Sequence, residues 1–184
     1  MLPFSASVAV ELGSSADLST APRVDVDKPM QLVPLHERDA RIHRLPPFQK
    51  LVDATPAGGT LKPKPGLYAG PVLVDKPIVI DGGGKVTIDG GSKSTVFVLQ
   101  ANSSTLRGLR LTGSGSSHDA DDACLNVRGN NNLIESLVID DCLFGIDLKQ
   151  SNNNVVRSNK IKSKPVELGV RGDAIRLWYS MNNR

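Results

Sequence analysis

Short apolar segments separated by Gly, Asn, Asp and Pro follow one another along the chain from Thr60 onward. Within each segment apolar and polar residues alternate and β-branched residues are frequent, as in a strand with one buried face. The pattern predicts early strands at residues 72–74, 78–80, 86–88, 96–99 and 109–111. We therefore expect this part of the chain to be built from strands.

Two motifs recur in the second half of the chain. The spacing Leu106-x-x-Leu109-x-Leu111 returns in the segment that begins at Ile134 and again in the segment that begins at Val156. A second motif at residues 125–127 returns at residues 146–148 and at residues 175–177, and an Asn-rich turn follows each copy. Recurrence at such intervals is typical of a solenoid.

The second half of each repeat decides which solenoid to expect. A leucine-rich repeat returns through a helix or an irregular segment, whereas here the returning segment is another alternating strand closed by an Asn turn. We therefore predict an all-β fold, a right-handed single-stranded parallel β-helix, with Asn side chains stacked at the turns. Its inward columns would be Leu125/Ile146/Ile175 and Val127/Leu148/Leu177, and its outward columns Asn126/Asp147/Arg176 and Arg128/Lys149/Trp178.

The chain divides into three predicted parts. Residues 1–44 show no sustained period and are expected to be a leader or loosely ordered arm. Residues 45–59 carry apolar side chains at Phe48, Leu51 and Val52, the spacing of a short helix that would cap the first coil. Residues 60–184 form the coils. No capping element follows the last Asn turn, so we expect these coils to be the N-terminal part of a longer solenoid.

Composition and charge exclude some classes of function. The net charge is +3, with no clustered basic face of the kind that nucleic acid requires. The longest apolar run near the start is too short to span a membrane, and no standard signal peptide is visible. The cysteines, Cys124 and Cys142, are expected to be small, partly buried wall residues rather than a mutual disulfide.

Turn length suggests where a partner would bind. The segments from Leu111 to Leu125 and from Ile161 to Ile175 are equally long, and each is twice as long as the segment from Ile139 to Ile146. Both long loops should emerge on one edge, where they would either pair with each other or form a recognition surface. The candidate partner-binding residues are His118, Asp119, Asp121, Asp122, Asp147, Lys149, Lys164, Arg171, Asp173, Arg176 and Trp178.

Several of these residues also have simpler explanations. Asp147 and Arg176 are expected to form a surface ion pair of small energy, and Trp178 would equally suit a half-buried position under a loop. His118 lies among carboxylates, which copper(I) does not prefer, so no metal site is assigned. A glycosidase needs two suitably spaced carboxyl groups, whereas the outward column offers only Asp147. We therefore expect no catalytic residues.

Two sequence strings carry a family resemblance. Residues 143–156 (LFGIDLKQSNNNVV) and 171–180 (RGDAIRLWYS) resemble the NosD family, and the similarity extends over about residues 45 to 184. The resemblance implies a periplasmic accessory protein, not an enzyme, for copper-site assembly in nitrous oxide reductase. Its partners would be nitrous oxide reductase, a copper chaperone and an ABC transporter, and copper would be its cargo. The alternative is a carbohydrate-active protein: a polysaccharide lyase, glycosidase or epimerase.

Overall fold

The computed structural model describes residues 40–184. It contains a helix, α1 (Gln49–Ala54), and a 3-10 turn at Leu168–Val170. The strands are β1 (Thr60–Leu61), β2 (Gly66–Ala69), β3 (Val72–Val74), β4 (Val79–Asp89), β5 (Phe97–Leu99), β6 (Thr105–Thr112), β7 (Ala123–Val127), β8 (Leu133–Glu135), β9 (Val138–Cys142), β10 (Phe144–Lys149), β11 (Val155–Arg157), β12 (Lys160–Ser163) and β13 (Ile175–Trp178).

These strands form two parallel sheets. The five-stranded sheet has the order β3-β5-β7-β10-β13, and the eight-stranded sheet has the central order β1-β4-β6-β8-β11 with β2, β9 and β12 attached. The chain alternates between the sheets, so neighbouring strands in a sheet come from successive repeats. β7 is buried along its whole length and β10 along all but its last residue, which is typical of parallel strands covered on both faces.

The prediction of a single-stranded β-helix is wrong. The two motifs of each repeat lie in different sheets, and over residues 40–184 the sheets do not close on each other. The result is two open parallel sheets, the strand arrangement of α/β proteins, with few helical residues. The sequence periodicity specified which strands pair, but it did not specify how the pairs are distributed between sheets.

The predicted strand register is confirmed in the five-stranded sheet. Ile146 pairs with both Leu125 and Ile175, and Leu148 pairs with both Val127 and Leu177. The covered members of these two columns are at most 1% exposed, whereas Ile175 is 44% and Leu177 53% exposed at the edge of the sheet. Asp147 lies in the predicted outward column, but the expectation of a surface ion pair with Arg176 is wrong, because the Asp147 side chain is fully buried.

Stacked asparagines at the turns are also confirmed. Asn130 N–H donates to the Asn102 carboxamide and Asn152 N–H donates to the Asn130 carboxamide, each at 2.7 Å. A second series links Asn132 N–H to Asn154 and Asn154 N–H to Asn183, each at 2.8 Å. The carboxamides thus satisfy turn N–H groups that strand pairing cannot reach. Between them Asn131, Asn153 and Asn182 have φ of 56° to 58°, in the left-handed region that Asn tolerates.

The predicted short helix is present as α1 and covers one edge of the five-stranded sheet. The Gln49 carboxamide accepts a hydrogen bond from Leu73 N–H at 2.7 Å and donates to the Leu73 carbonyl at 3.1 Å. Phe48 is fully buried beside it and packs edge-on against Tyr68 at 5.4 Å between ring centroids. The side chain of Gln49 therefore takes the place of a neighbouring strand at β3.

Cys124 and Cys142 form a disulfide, so the expectation of two separate thiols is wrong. Their Cα atoms are 5.5 Å apart, which suits a disulfide. The bond joins β7 of one sheet to the end of β9 in the other. Their separation in sequence gave no indication of this closeness.

Most of the predicted leader, residues 1–39, lies outside the described residues. No described helix combines the length and apolar character needed to cross a membrane.

Candidate functional site

Four charged residues meet on the outer side of the five-stranded sheet. Arg176 donates from Nε to Asp147 at 2.9 Å and from Nη2 to Asp121 at 2.7 Å. Lys149 Nζ donates to the other oxygen of Asp121 at 3.1 Å. We call these four residues the charged cluster. Asp121 bridges the two cations, and Arg176 bridges the two carboxylates.

The strand register and one long loop together build the charged cluster. β10 and β13 pair Asp147 with Arg176 and Lys149 with Trp178, so side chains at these positions stack on the same face. Asp121 comes from the first long loop, residues 113–122, and has φ of 53° in a tight turn where its N–H donates to the His118 carbonyl. This loop brings Asp121 over the strands and removes Asp147 from solvent.

Three further residues hold the charged cluster, and none of them is among the predicted partner-binding residues. Asn126 donates to the second oxygen of Asp147 at 3.0 Å, and Arg128 donates to Asn126 at 2.6 Å. The Arg176 guanidinium lies 4.0 Å from the centre of the Phe144 ring, a cation–π contact. Because Asn126 and Arg128 belong to the predicted outward columns, the sequence pattern already placed them beside Asp147 and Lys149. No sequence pattern pointed to Phe144.

The charged cluster alters the acidity of its members. The hydrogen bond from Arg176 is the largest cause that lowers the pKa of Asp121, and Lys149 adds to it. The pKa of Arg176 is raised, chiefly by its hydrogen bond to Asp147. Asp121 is therefore held ionised, whereas a general acid needs a raised pKa.

A cleft opens beside the charged cluster. Its volume is about 180 Å³, and Asp121, Lys149, Arg176 and Trp178 line it. Trp178 is half exposed and meets Tyr179 edge-on with ring centroids 5.5 Å apart. The cleft thus combines an exposed aromatic face with charged groups that are already fixed by their own contacts. Such a combination of aromatic and Arg side chains is frequent in protein interfaces.

The two long loops contact each other, as their common edge predicted. Lys164, in the second long loop (residues 164–174), is buried and donates from Nζ to the carbonyls of Ser114 at 2.5 Å and Gly115 at 3.1 Å. His118 contacts the Val170 carbonyl at 3.0 Å. These contacts join side chains of one long loop to backbone carbonyls of the other.

The remaining candidates lie around these loops rather than in the cleft. Asp122 is buried and accepts a hydrogen bond from Ser117 N–H at 2.9 Å, so its carboxylate shapes the first long loop. Arg171 donates to the Val166 carbonyl at 2.7 Å within the second long loop. Asp119 and Asp173 are exposed. Of the eleven candidates, five converge: Asp121, Asp147, Lys149, Arg176 and Trp178.

The acidic residues near His118 do not converge on a common point. Asp121 faces Arg176 and Lys149, Asp122 faces Ser117, and His118 packs edge-on against Phe144. Within residues 40–184 no group of three or more His, Cys, Asp or Glu side chains is placed to hold a metal ion.

In comparisons with known proteins, no family model, no curated protein and no solved structure matches this chain.

Proposed function

We propose that this protein is a periplasmic accessory factor for copper-site assembly in nitrous oxide reductase. It acts with a copper chaperone and an ABC transporter, and it binds a protein partner at the cleft beside the charged cluster. Copper is the cargo of the pathway, and the protein performs no chemical reaction of its own.

One observation carries this proposal. The two strings that resemble the NosD family, residues 143–156 and 171–180, contain β10 and β13, which pair side by side. Together they supply three of the four residues that line the cleft: Lys149, Arg176 and Trp178. The part of the sequence that carries the resemblance is therefore the part that builds the cleft.

The chemistry of the cleft favours a protein partner over copper itself. Copper(I) prefers thiolate, thioether and imidazole ligands, whereas the cleft offers a carboxylate, an ammonium, a guanidinium and an indole. A half-exposed Trp and a partly buried Arg beside a polar rim are typical of protein recognition. The disulfide between Cys124 and Cys142 suits an oxidising compartment such as the periplasm.

The test measures copper in the partner enzyme. Nitrous oxide reductase would be purified from a strain that lacks this protein and from the same strain carrying wild type, Lys149→Glu or Lys85→Glu. Lys149→Glu reverses the charge in the cleft, whereas Lys85→Glu makes the same change at an exposed position away from it. We expect the deletion and Lys149→Glu to lower copper per reductase chain, and Lys85→Glu to leave it at the wild-type value.

Three results would contradict the proposal or its placement of the partner surface. Full copper loading in the deletion strain would remove the assembly function, and turnover of pectate or alginate by the purified protein would favour the carbohydrate-active alternative. Wild-type loading with Lys149→Glu, in a protein whose melting curve is unchanged, would place the partner surface outside the cleft.

A further inference from the structure

The disulfide between Cys124 and Cys142 lies at the base of both long loops. The first long loop ends at Asp122, and Cys124 follows it in β7. The second long loop begins at Lys164, whose N–H donates to the Cys142 carbonyl at 3.0 Å. One covalent bond therefore ties together the places where the two loops join the sheets.

The chain just after Cys142 holds the first long loop in place. Leu143 N–H donates to Ser114 Oγ at 2.9 Å, near the beginning of this loop. Phe144 N–H donates to the Asp122 carbonyl at 3.2 Å, at its end. Movement of this segment away from β7 therefore displaces both ends of the first long loop.

The first long loop in turn gives the cleft its shape. Asp121 of this loop accepts hydrogen bonds from Lys149 at 3.1 Å and from Arg176 at 2.7 Å, and both cations belong to the five-stranded sheet. Asp121 also lines the cleft. The position of one wall of the cleft therefore depends on how firmly the loop is anchored at the disulfide.

Both cysteines are covered by surrounding structure. Cys124 is 0% and Cys142 1% exposed. A disulfide is reduced by direct attack of a thiolate on one sulfur, so a reductant reaches this bond only when the structure around it opens. The long loops adjoin the bond and lie outside the sheets, so they open at a lower cost than the strands do. Loop opening and reduction therefore favour each other.

We propose that this disulfide is a redox-sensitive latch on the cleft, and the proposal rests on the proposed function of the cleft as a partner-binding surface. The reductant is a dithiol. Its thiolate attacks one sulfur, the S–S bond breaks, the two cysteines receive the two protons of the dithiol, and the dithiol closes to its own disulfide. The reduced protein keeps both sheets, but the first long loop moves away from Lys149 and Arg176, and the cleft loses Asp121.

Hydrogen–deuterium exchange of the full chain, with and without dithiothreitol, tests the latch. A cross-link between residues separated by 18 positions lowers the population of open states by about a hundredfold. We expect amides of residues 113–122 to exchange about a hundredfold faster after reduction, while amides of β7 and β10 stay protected. Unchanged exchange of the loop would overturn the proposal, and so would loss of protection in loop and sheets together.

A variant without the disulfide controls for the reductant. The chain has two cysteines, so dithiothreitol has no other disulfide to reduce within it. Cys124→Ala combined with Cys142→Ala should show fast loop exchange at the same rate with and without dithiothreitol. Slow loop exchange in this variant, with its sheets still protected, would show that the cross-link does not hold the loop.

The rate of reduction tests the coupling from the other side. The buried ammonium of Lys164 joins the two long loops through the carbonyls of Ser114 and Gly115. Lys164→Met removes this contact without touching either sulfur, and we expect dithiothreitol to reduce its disulfide at least tenfold faster than that of wild type. Lys162→Met makes the same change at an exposed position and should be reduced at the wild-type rate. Equal rates for both variants would overturn the coupling between the loops and the bond.

The latch and the proposed function fail in different ways. The exchange and reduction measurements use neither copper nor a partner protein. A failure of the latch appears as unchanged exchange and reduction rates, whereas a failure of the proposed function appears as full copper loading in the deletion strain.

Discussion

Two carboxylate–arginine pairs occupy equivalent places on the two sheets. Arg176 donates through Nε to Asp147 on the five-stranded sheet, and Arg157 donates through Nε to Glu135 on the eight-stranded sheet, both at 2.9 Å. In each pair the arginine lies one repeat after the acid. The Asp147 side chain is 0% exposed and that of Arg176 20%, whereas the values for Glu135 and Arg157 are 18% and 61%.

The difference comes from the loops and not from the strands. The first long loop places Asp121 over Arg176 and excludes water from Asp147, whereas no comparable loop covers Arg157 among residues 40–184. Water screens the exposed pair, so that pair contributes little to stability. At the buried pair, each group depends on the other for compensation of its lost hydration. Equivalent positions in successive repeats therefore give two pairs with different energetic roles.

The largest loss of stability is expected where a substitution introduces a buried carboxylate with no cation beside it. Leu148→Asp places a charge next to Asp147 in sequence, at a site that is 1% exposed and has apolar neighbours in both adjacent strands. We expect a loss of about 5 kcal/mol or failure to fold, measured by urea denaturation. If the variant does not fold, Leu148→Ala should still cost about 3 kcal/mol. A loss below about 1 kcal/mol for Leu148→Ala would show that the column is not packed as described.

Removal of the arginine should reduce stability much more at the buried pair than at the exposed pair. Arg176→Met leaves Asp147 buried with Asn126 as its remaining partner, and we expect a loss of about 3 kcal/mol. Arg157→Met makes the same change at the exposed pair and should cost less than about 1 kcal/mol. Urea denaturation of both variants measures the contrast. Equal losses would contradict the assignment of different roles.

A neutral replacement tests whether the loss comes from the uncompensated charge. Asp147→Asn combined with Arg176→Met removes both charges and keeps the size of each side chain nearly constant. We expect the double variant to be less stable than wild type by only about 1 kcal/mol, because no buried charge remains without compensation. If the double variant were as unstable as Arg176→Met alone, packing rather than charge would explain the loss.

The smallest effect is a pH dependence at Asp121. Arg176 lowers the pKa of Asp121 below its ordinary value of 3.8, so the folded state binds this proton less readily than the unfolded state. The stabilisation is therefore present above about pH 4 and is lost as the pH falls towards the lowered pKa. Asp121→Asn should be less stable than wild type by under about 1 kcal/mol at pH 7, and the difference should shrink below pH 4. A difference that grows on acidification would contradict the sign of the shift.

The periodicity of the sequence predicted which strands pair with each other better than it predicted what covers each strand. The columns through Ile146 and Leu148 follow from apolar spacing alone, and the Asn turns follow from the tolerance of Asn for left-handed backbone. The arrangement into two open sheets did not follow, since alternating segments look alike in either sheet. Local patterns report which residues share a face, but not which segment will cover that face.

The candidate site shows the same limit. The stacking of Asp147 on Arg176 was visible in the alignment of residues 146–148 with residues 175–177. The burial of Asp147 was not visible, because it depends on how the first long loop folds back over the strand, and no period describes that loop. The disulfide likewise joins residues of different sheets, and only the three-dimensional path of the chain brings them together.

Gln49 shows that a sheet can be ended by one side chain. A carboxamide carries the same donor and acceptor as a peptide group, so Gln49 presents to Leu73 what another strand would present. A glutamate at this position would offer only acceptors at neutral pH, and its charge would face the Leu73 carbonyl. One atom, a nitrogen in place of an oxygen, thus separates a closed edge from one that could recruit a foreign strand. The closure of the β3 edge at Leu73 therefore rests on the chemistry of one side chain.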